Sequence, residues 1–436
     1  MSISSSRIGS SLCRHPQDLR PQTSISTFTP PSESERRLAI GFSKSGELKH
    51  LDQYNPKLTK NEIRELKKIL SPDGKHFDPI PEPDEDDWLG WRKAKHQSFR
   101  SYVKSKPKKY KPGNQIYLLP LSADGTLDGF PPISVLSEVV ENFFGIKTAI
   151  LDAVPIRKLG KIRTREKYDE EDDEDGWIQY NAMDILDAMG FRKPQDSHTL
   201  CAVTMLDIYK GGFNYLFGLA RTRGGVGVFS FSRQDPAVRS CEFWNGSSKR
   251  GPGDNEKLLR RASATLCHEI GHTFGLKHCT FFRCLMQGSN SLRESEDRGM
   301  QLCPVCLRKL HWNTRFSLAK RYANMAHIFE KHHEVFSQAG ERIRSRLDIT
   351  GIQVGDEDVT SRIARLTLKR VAKPFTPRSK FKSRTAKSPK VIAVAPQQAK
   401  SNSPKTKSPK EKSQSVGRTY SRSRDRVKSE LKSPET

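Results

Sequence analysis

The sequence has no run of about 18 apolar residues, the length a membrane-spanning helix needs. Its Ser/Arg-rich start, MSISSSRIGSSLCRHP, also lacks the apolar stretch of a secretory signal. These absences exclude a transmembrane helix and lead us to expect folding in the cytosol or nucleus. Apolar residues are scarce overall: they make up 34% of 436 residues, with 8% aromatic, against roughly 45–50% apolar in ordinary globular chains. A large part of the chain is therefore expected not to pack. Acids are outnumbered, with 76 Lys+Arg against 50 Asp+Glu for a net charge of +26. The shortage is concentrated in residues 371–436, which hold 18 basic and 4 acidic residues, or +14. Cysteine is infrequent too, but four of the eight (Cys279, Cys284, Cys303, Cys306) fall within 28 residues. In a reducing compartment such clustering favours a metal over disulfides.

Composition and periodicity divide the chain into five parts. Residues 1–35, rich in Ser, Thr and Pro, read as disordered, with a mitochondrial transit peptide as the competing reading because Arg7, Arg14 and Arg20 stand among serines. Residues 36–113 form a partly helical extension decorating a core, with a helix over 61–70 and an acidic loop, 82–87, ahead of Trp88 and Trp91. The folded unit is expected at 114–335. It comprises a buried strand at 116–121, a helix over 133–144 stopped by Gly145, a strand at 148–156 and a helix around 180–189. Three further strands are expected at 200–208, 215–221 and 226–232, followed by a helix from Glu256 to Phe274 that ends at Gly275. After the last cysteines, Leu310, Phe316, Tyr322, Met325 and Phe329 mark one long helix. The seven consecutive acids at 169–175 read as a solvated loop. Residues 336–370 read as a linker or helix, and 371–436 as a basic Lys/Ser/Pro-rich disordered tail. The expected fold class is α+β with a mixed sheet.

The chemistry is concentrated in CHEIGHTFGLKHCTFFRCLMQGSN, residues 267–290. On a helix, His268 and His272 project from one face and can share an ion. Glu269, about 100° round the helix, is free to act on water as a general base. A break at Gly275 would bring back His278 as a third nitrogen, giving the open coordination of a catalytic zinc site. With 12 histidines in 436 residues, the chance expectation for HExxH alone is about 0.02. Four thiolates, Cys279, Cys284, Cys303 and Cys306, instead suit a closed structural zinc site, and adjacent His278 and Cys279 would point to opposite sides of an extended segment. Cys267 reads as a small core residue.

HEIGHTFGLKHC, followed by CLMQGSN and CPVC, resembles the archaemetzincins, metzincin-clan zinc metalloproteases, over roughly residues 114–335. The resemblance implies a metzincin-like protease domain with an active-site helix and a C-terminal helix. It also implies a catalytic zinc on His268, His272 and His278, Glu269 as general base, and Met286 in the Met-turn beneath the metal. A second, structural zinc would sit on the four cysteines, making two per chain. The expected activity is peptide-bond hydrolysis, as an endopeptidase or an aminopeptidase-like enzyme. The partner is a peptide or protein substrate, with the chain a monomer and no membrane involved. The strand VGVFSFS (226–232) is expected to be the edge strand lining the cleft. Cys13 lacks the setting of a propeptide cysteine switch. The alternative is a catalytically weak, zinc-stabilised protein that docks through its basic tail to nucleic acid or another acidic partner; the presence of Glu269 argues against it.

Overall fold

The computed structural model describes residues 28–49, 59–72, 76–85, 87–91, 94–167, 177–222, 224–237 and 250–350. Capping boxes start the first two helices. Ser32 pairs with Glu35 at α1 (Glu33–Ile40), and Thr59 with Glu62 at α2 (Lys60–Leu70), each side chain accepting the other residue's backbone N–H. Next come α3 (Trp88–Trp91), α4 (Phe99–Lys104), β1 (Gln115–Ser122), α5 (Ile133–Phe144), β2 (Thr148–Ile150), β3 (Val154–Pro155), β4 (Thr164–Lys167) and β5 (Trp177–Asn181). The chain continues through α6 (Ala182–Arg192), β6 (Ser197–Thr204), β7 (Asp207–Tyr209), β8 (Gly218–Arg221) and β9 (Val226–Ser230). It closes with α7 (Asp254–Thr273), α8 (Leu292–Glu296), α9 (Pro304–Thr314), α10 (Leu318–Lys331) and α11 (His333–Thr350).

The main sheet has the order β2-β1-β6-β9-β8, with β3 also pairing with β1. All its pairings are parallel except β8–β9. Side chains alternate across a strand, so each inner strand feeds two cores. Ile116, Leu118, Cys201, Val203 and Phe229 face α5, α7, α9 and α10. Leu119, Leu121, Leu200, Ala202, Val226 and Val228 face α6. Burial on both faces explains why these strands read as unbroken apolar runs. The sheet is mixed, as expected. Its helices cover both faces, however, which is closer to a layered α/β arrangement than to a segregated α+β one. A second sheet, β4-β5-β7, lies beyond what periodicity indicated.

Several boundaries move. The strand expected over 148–156 is two short strands. The run 200–208 breaks after Thr204, whose hydroxyl accepts the Leu206 N–H at 3.0 Å, so β7 joins the second sheet. Tyr180 lies in β5, and Asn181 caps α6 by accepting the N–H groups of Met183 and Asp184. The single long helix after the cysteines is two helices, because Arg315 takes a left-handed conformation (φ 61°) that ends α9 before Ser317 caps α10. Helix α1 begins inside the segment expected to be disordered. The rest of that segment up to residue 27, the acids at 169–175, residues 351–370, and the tail from 371 all lie outside the described residues.

The extension does more than decorate. Helix α7 ends in a Schellman arrangement at Gly275 (φ +84°), with Gly275 N–H bonded to His272 O and Leu276 N–H to Gly271 O. The two carbonyls just past its end accept donors from the extension: the Tyr102 hydroxyl donates to Phe274 O at 2.8 Å and the Gln97 amide to Gly275 O at 3.1 Å.

Candidate metal centres and active site

His268 and His272 stand four apart on α7, and each ring is oriented by a main-chain carbonyl. His268 Nδ1 donates to Leu285 O and His272 Nδ1 to Leu276 O, both at 2.6 Å. These bonds place the proton on Nδ1 and leave both Nε2 lone pairs converging, 3.1 Å apart. The turn at Gly275 brings back His278, whose ring centroid lies 5.2 Å from that of His268 and 4.9 Å from that of His272. Their ligand atoms fall within 4.8 Å of one another. Three imidazoles turned toward one point are the donor set a metal ion needs. Burial pushes His268 well below its ordinary range, reinforced by the nearby Arg298 guanidinium.

Glu269 stays out of this cluster. It is half-buried on the next position of α7 and lies against β8, where a Cβ on Gly218 would come within 3.2 Å of its carboxyl carbon. Burial raises its pKa, opposed by His272 and Arg298. Met286 is buried against Gly271, the helix position between the two histidines, where a Cβ would lie 2.6 Å from its sulfur. Its carbonyl accepts the Cys279 N–H at 2.6 Å, so the loop carrying it runs alongside the third histidine.

The four cysteines form a separate buried cluster with all four sulfurs within 4.8 Å, Cys279 and Cys303 at 3.6 Å. Cys279 and Cys284 come from the loop after α7. Cys303 is the N-cap of α9, with Pro304 at its first position, and Cys306 lies in its first turn. Cys284 also accepts the N–H groups of Met286 and Cys303. Hydrogen bonds from the three neighbouring thiols, aided by the buried Lys309, push the Cys279 thiol well below its ordinary range against the opposing effect of burial. Cys267 is fully buried in the core with its thiol raised by burial, as expected.

One expected element is misplaced. β9, the VGVFSFS strand, is an inner strand paired on both sides, and the strand next to Glu269 at the end of the sheet is β8. Three participants were not anticipated from sequence. Buried Arg298 lies 3.1 Å from His268 Nδ1; both are donors, and Arg298 bonds instead to the carbonyls of Gln287 and Ser295. Burial raises the pKa of Glu294 to about 7, and Trp88 of α3 packs on His278. Trp88 stood out in the sequence only as an aromatic after an acidic loop, and Gly218 gave no signal at all.

With this geometry in place, similarity to known proteins decides the family. The model of Peptidase family M54 matches residues 183–312, which include all three histidines and all four clustered cysteines. Archaemetzincin-2 of Macaca fascicularis is 32% identical over 295 residues, covering 62% of this chain and 79% of that protein. The chain belongs to the archaemetzincin family. The archaemetzincin of Pyrococcus furiosus is 34% identical over 182 residues, 41% of this chain and 84% of its own. A solved archaemetzincin from Methanopyrus kandleri, 27% identical, covers 47% of this chain and 99% of its own with a TM-score of 0.33. Family membership gives the coarse chemistry, that of a zinc metallopeptidase acting on peptide or protein substrates.

Proposed function

We propose that this chain hydrolyses peptide bonds at a zinc ion held by His268, His272 and His278 in a metzincin-like domain. Cys279, Cys284, Cys303 and Cys306 hold a second, purely structural zinc. The observation that carries the reading is the convergence of two carbonyl-fixed imidazoles and a third from the return turn, next to a half-buried carboxyl that binds none of them. Both donor sets fit their ions: neutral nitrogens for an open site, and thiols with an ammonium neighbour for a closed one.

Zinc at the histidines supplies Lewis acidity toward water and the scissile carbonyl. Glu269 holds and moves the proton: its carboxylate takes one from the attacking water and delivers it to the departing amine nitrogen. The raised pKa suits a group that must both accept and release a proton. Met286 supports the helix from below through Gly271. Strand β8 pairs only with β9 among the described residues, which leaves an edge to which an extended substrate main chain can add, in line with Glu269.

The test is Glu269→Gln, which keeps shape and every metal ligand. Hydrolysis of a peptide library is expected to fall by about 10²–10⁴, with zinc content and melting temperature unchanged. Equal cleavage by wild type and variant at full zinc occupancy would replace the protease reading with that of a zinc-stabilised binding protein.

A further inference from the structure

Of the three histidines, His268 and His272 are placed by a helix, whereas His278 sits in the turn beyond it. The Trp88 ring meets the His278 ring edge-on, with centroids 4.5 Å apart and planes at 89°. Trp88 belongs to the extension, 190 positions away in sequence and outside the matched family segment. We propose that Trp88 is a positioning residue that fixes the His278 imidazole for the metal, so that the extension completes a site whose ligands all lie in the family segment. The inference rests on reading His278 as a metal ligand.

The segment is built to hold this ring. The Trp88 main-chain N–H donates to both carboxylate oxygens of Glu294, at 3.0 and 3.2 Å, and Glu294 also accepts the Asn290 N–H at 2.6 Å. One buried carboxyl thus ties the start of α3 to the loop that follows Met286. The indole lies on Gly288, where a Cβ would come within 2.4–2.8 Å of three indole carbons, so only glycine permits this seat. The turn leading in is fixed by its own bonds: Asp84 N–H to the Asp87 carboxylate, Asp87 N–H to Asp84 O, and Gly90 N–H to Asp87 O. At Gly90 a Cβ would strike Asp84 O at 2.3 Å. A T-shaped contact of this kind limits tilt of the imidazole while leaving its nitrogens available. Partners that orient a ligand from outside its coordination sphere typically change metal affinity by about 10–100-fold.

The experiment measures zinc release from the full chain against increasing chelator, with His278→Ala identifying the step that belongs to the histidine site. Trp88→Ala is expected to shift that step by about 10–100-fold toward lower chelator concentration and to leave the cysteine step in place. Trp88→Phe should restore most of the affinity. Gly288→Ala, which retains the tryptophan but unseats it, should reproduce the shift and serves if Trp88→Ala does not fold. If His278→Ala loses its ion while Trp88→Ala and Gly288→Ala keep wild-type affinity, the positioning role is overturned and the metal reading stands. Loss of both ions together in all three variants would equally overturn it, as a general effect on folding. If His278→Ala itself keeps both ions, the metal reading has failed, and the positioning role fails with it.

Discussion

His198, on β6, is a fully buried imidazole with neither ring nitrogen hydrogen-bonded among the described residues. Its ring stacks on Phe274 at the end of the active-site helix, with centroids 4.3 Å apart and planes at 17°. Burial, with Lys108 and Lys193 adding repulsion, pushes its pKa down to about 3. A depressed value means the folded state favours the neutral ring. The resulting stability is complete above the unfolded value near 6.5 and is lost as pH falls toward 3, on the order of 5 kcal/mol over the full span. His198→Phe keeps the stacked ring and removes the proton site, so its melting temperature should fall less steeply than that of wild type between pH 6.5 and 4. Equal slopes would show that other groups set the acid limb. The clustering of side chains was legible where chemistry demands a spacing, as in the convergence of His268, His272 and His278 and of the four cysteines. It was not legible where the constraint is contact across long separations, as at Trp88, Gly218 and Arg298.

Among elements, α7 was the most legible, because a helix covered on one side prints its 3.6-residue period and its glycine stop directly into the sequence. Strands were less so. Apolar runs such as 148–156 and 200–208 carry no mark of where one sheet ends and the next begins, and an inner strand and an edge strand differ in partners rather than composition. Assigning the edge to β9 instead of β8 is an error of that kind. The loop from His278 to Cys303 has little regular structure, and only α8 interrupts it before α9 begins. On our reading its fold depends on the cysteine-bound ion, since binding at a structural site is coupled to folding. Cys303→Ser should therefore lower the melting temperature and release both ions. His278→Ala should release one ion and melt close to wild type. Equal stability of the two variants, measured by thermal unfolding alongside metal analysis, would contradict a division into structural and catalytic sites.

For the molecule as a whole, the sequence draws the folded unit at 114–335, because the motifs and the family resemblance both lie there. The structure draws it wider, to include the extension and α11. Ile40, Leu66, Ile69, Leu70, Phe77, Phe99 and Tyr102 all belong to the buried core shared with α7 and α9. The Arg308 guanidinium on α9 is buried with its charge spread over main-chain carbonyls of the extension, Ile40 O and Lys49 O, and over the Phe99 ring at 4.0 Å. Arg346 on α11 does the same with the carbonyls of Lys68, Ile69 and Ser71 at the end of α2. Neither pattern can be read from sequence, since a carbonyl acceptor has no residue type. Burying a large apolar side chain is worth roughly 1.5–3 kcal/mol, so removing the extension would forfeit a sum comparable to the roughly 5–15 kcal/mol stability of a typical domain. It would also uncover the apolar face of α9, take the Gln97 donor from the Gly275 carbonyl and leave the Phe274 carbonyl only its longer bond from the Asn313 amide of α9. A fragment spanning 114–335 should therefore be insoluble, or should melt far below the full chain and lose its zinc. Removing only the basic tail from residue 372, where the composition cannot support a core, should leave the melting temperature unchanged. A soluble 114–335 fragment that unfolds cooperatively with both ions in place would show that the extension is dispensable, as the sequence alone suggests.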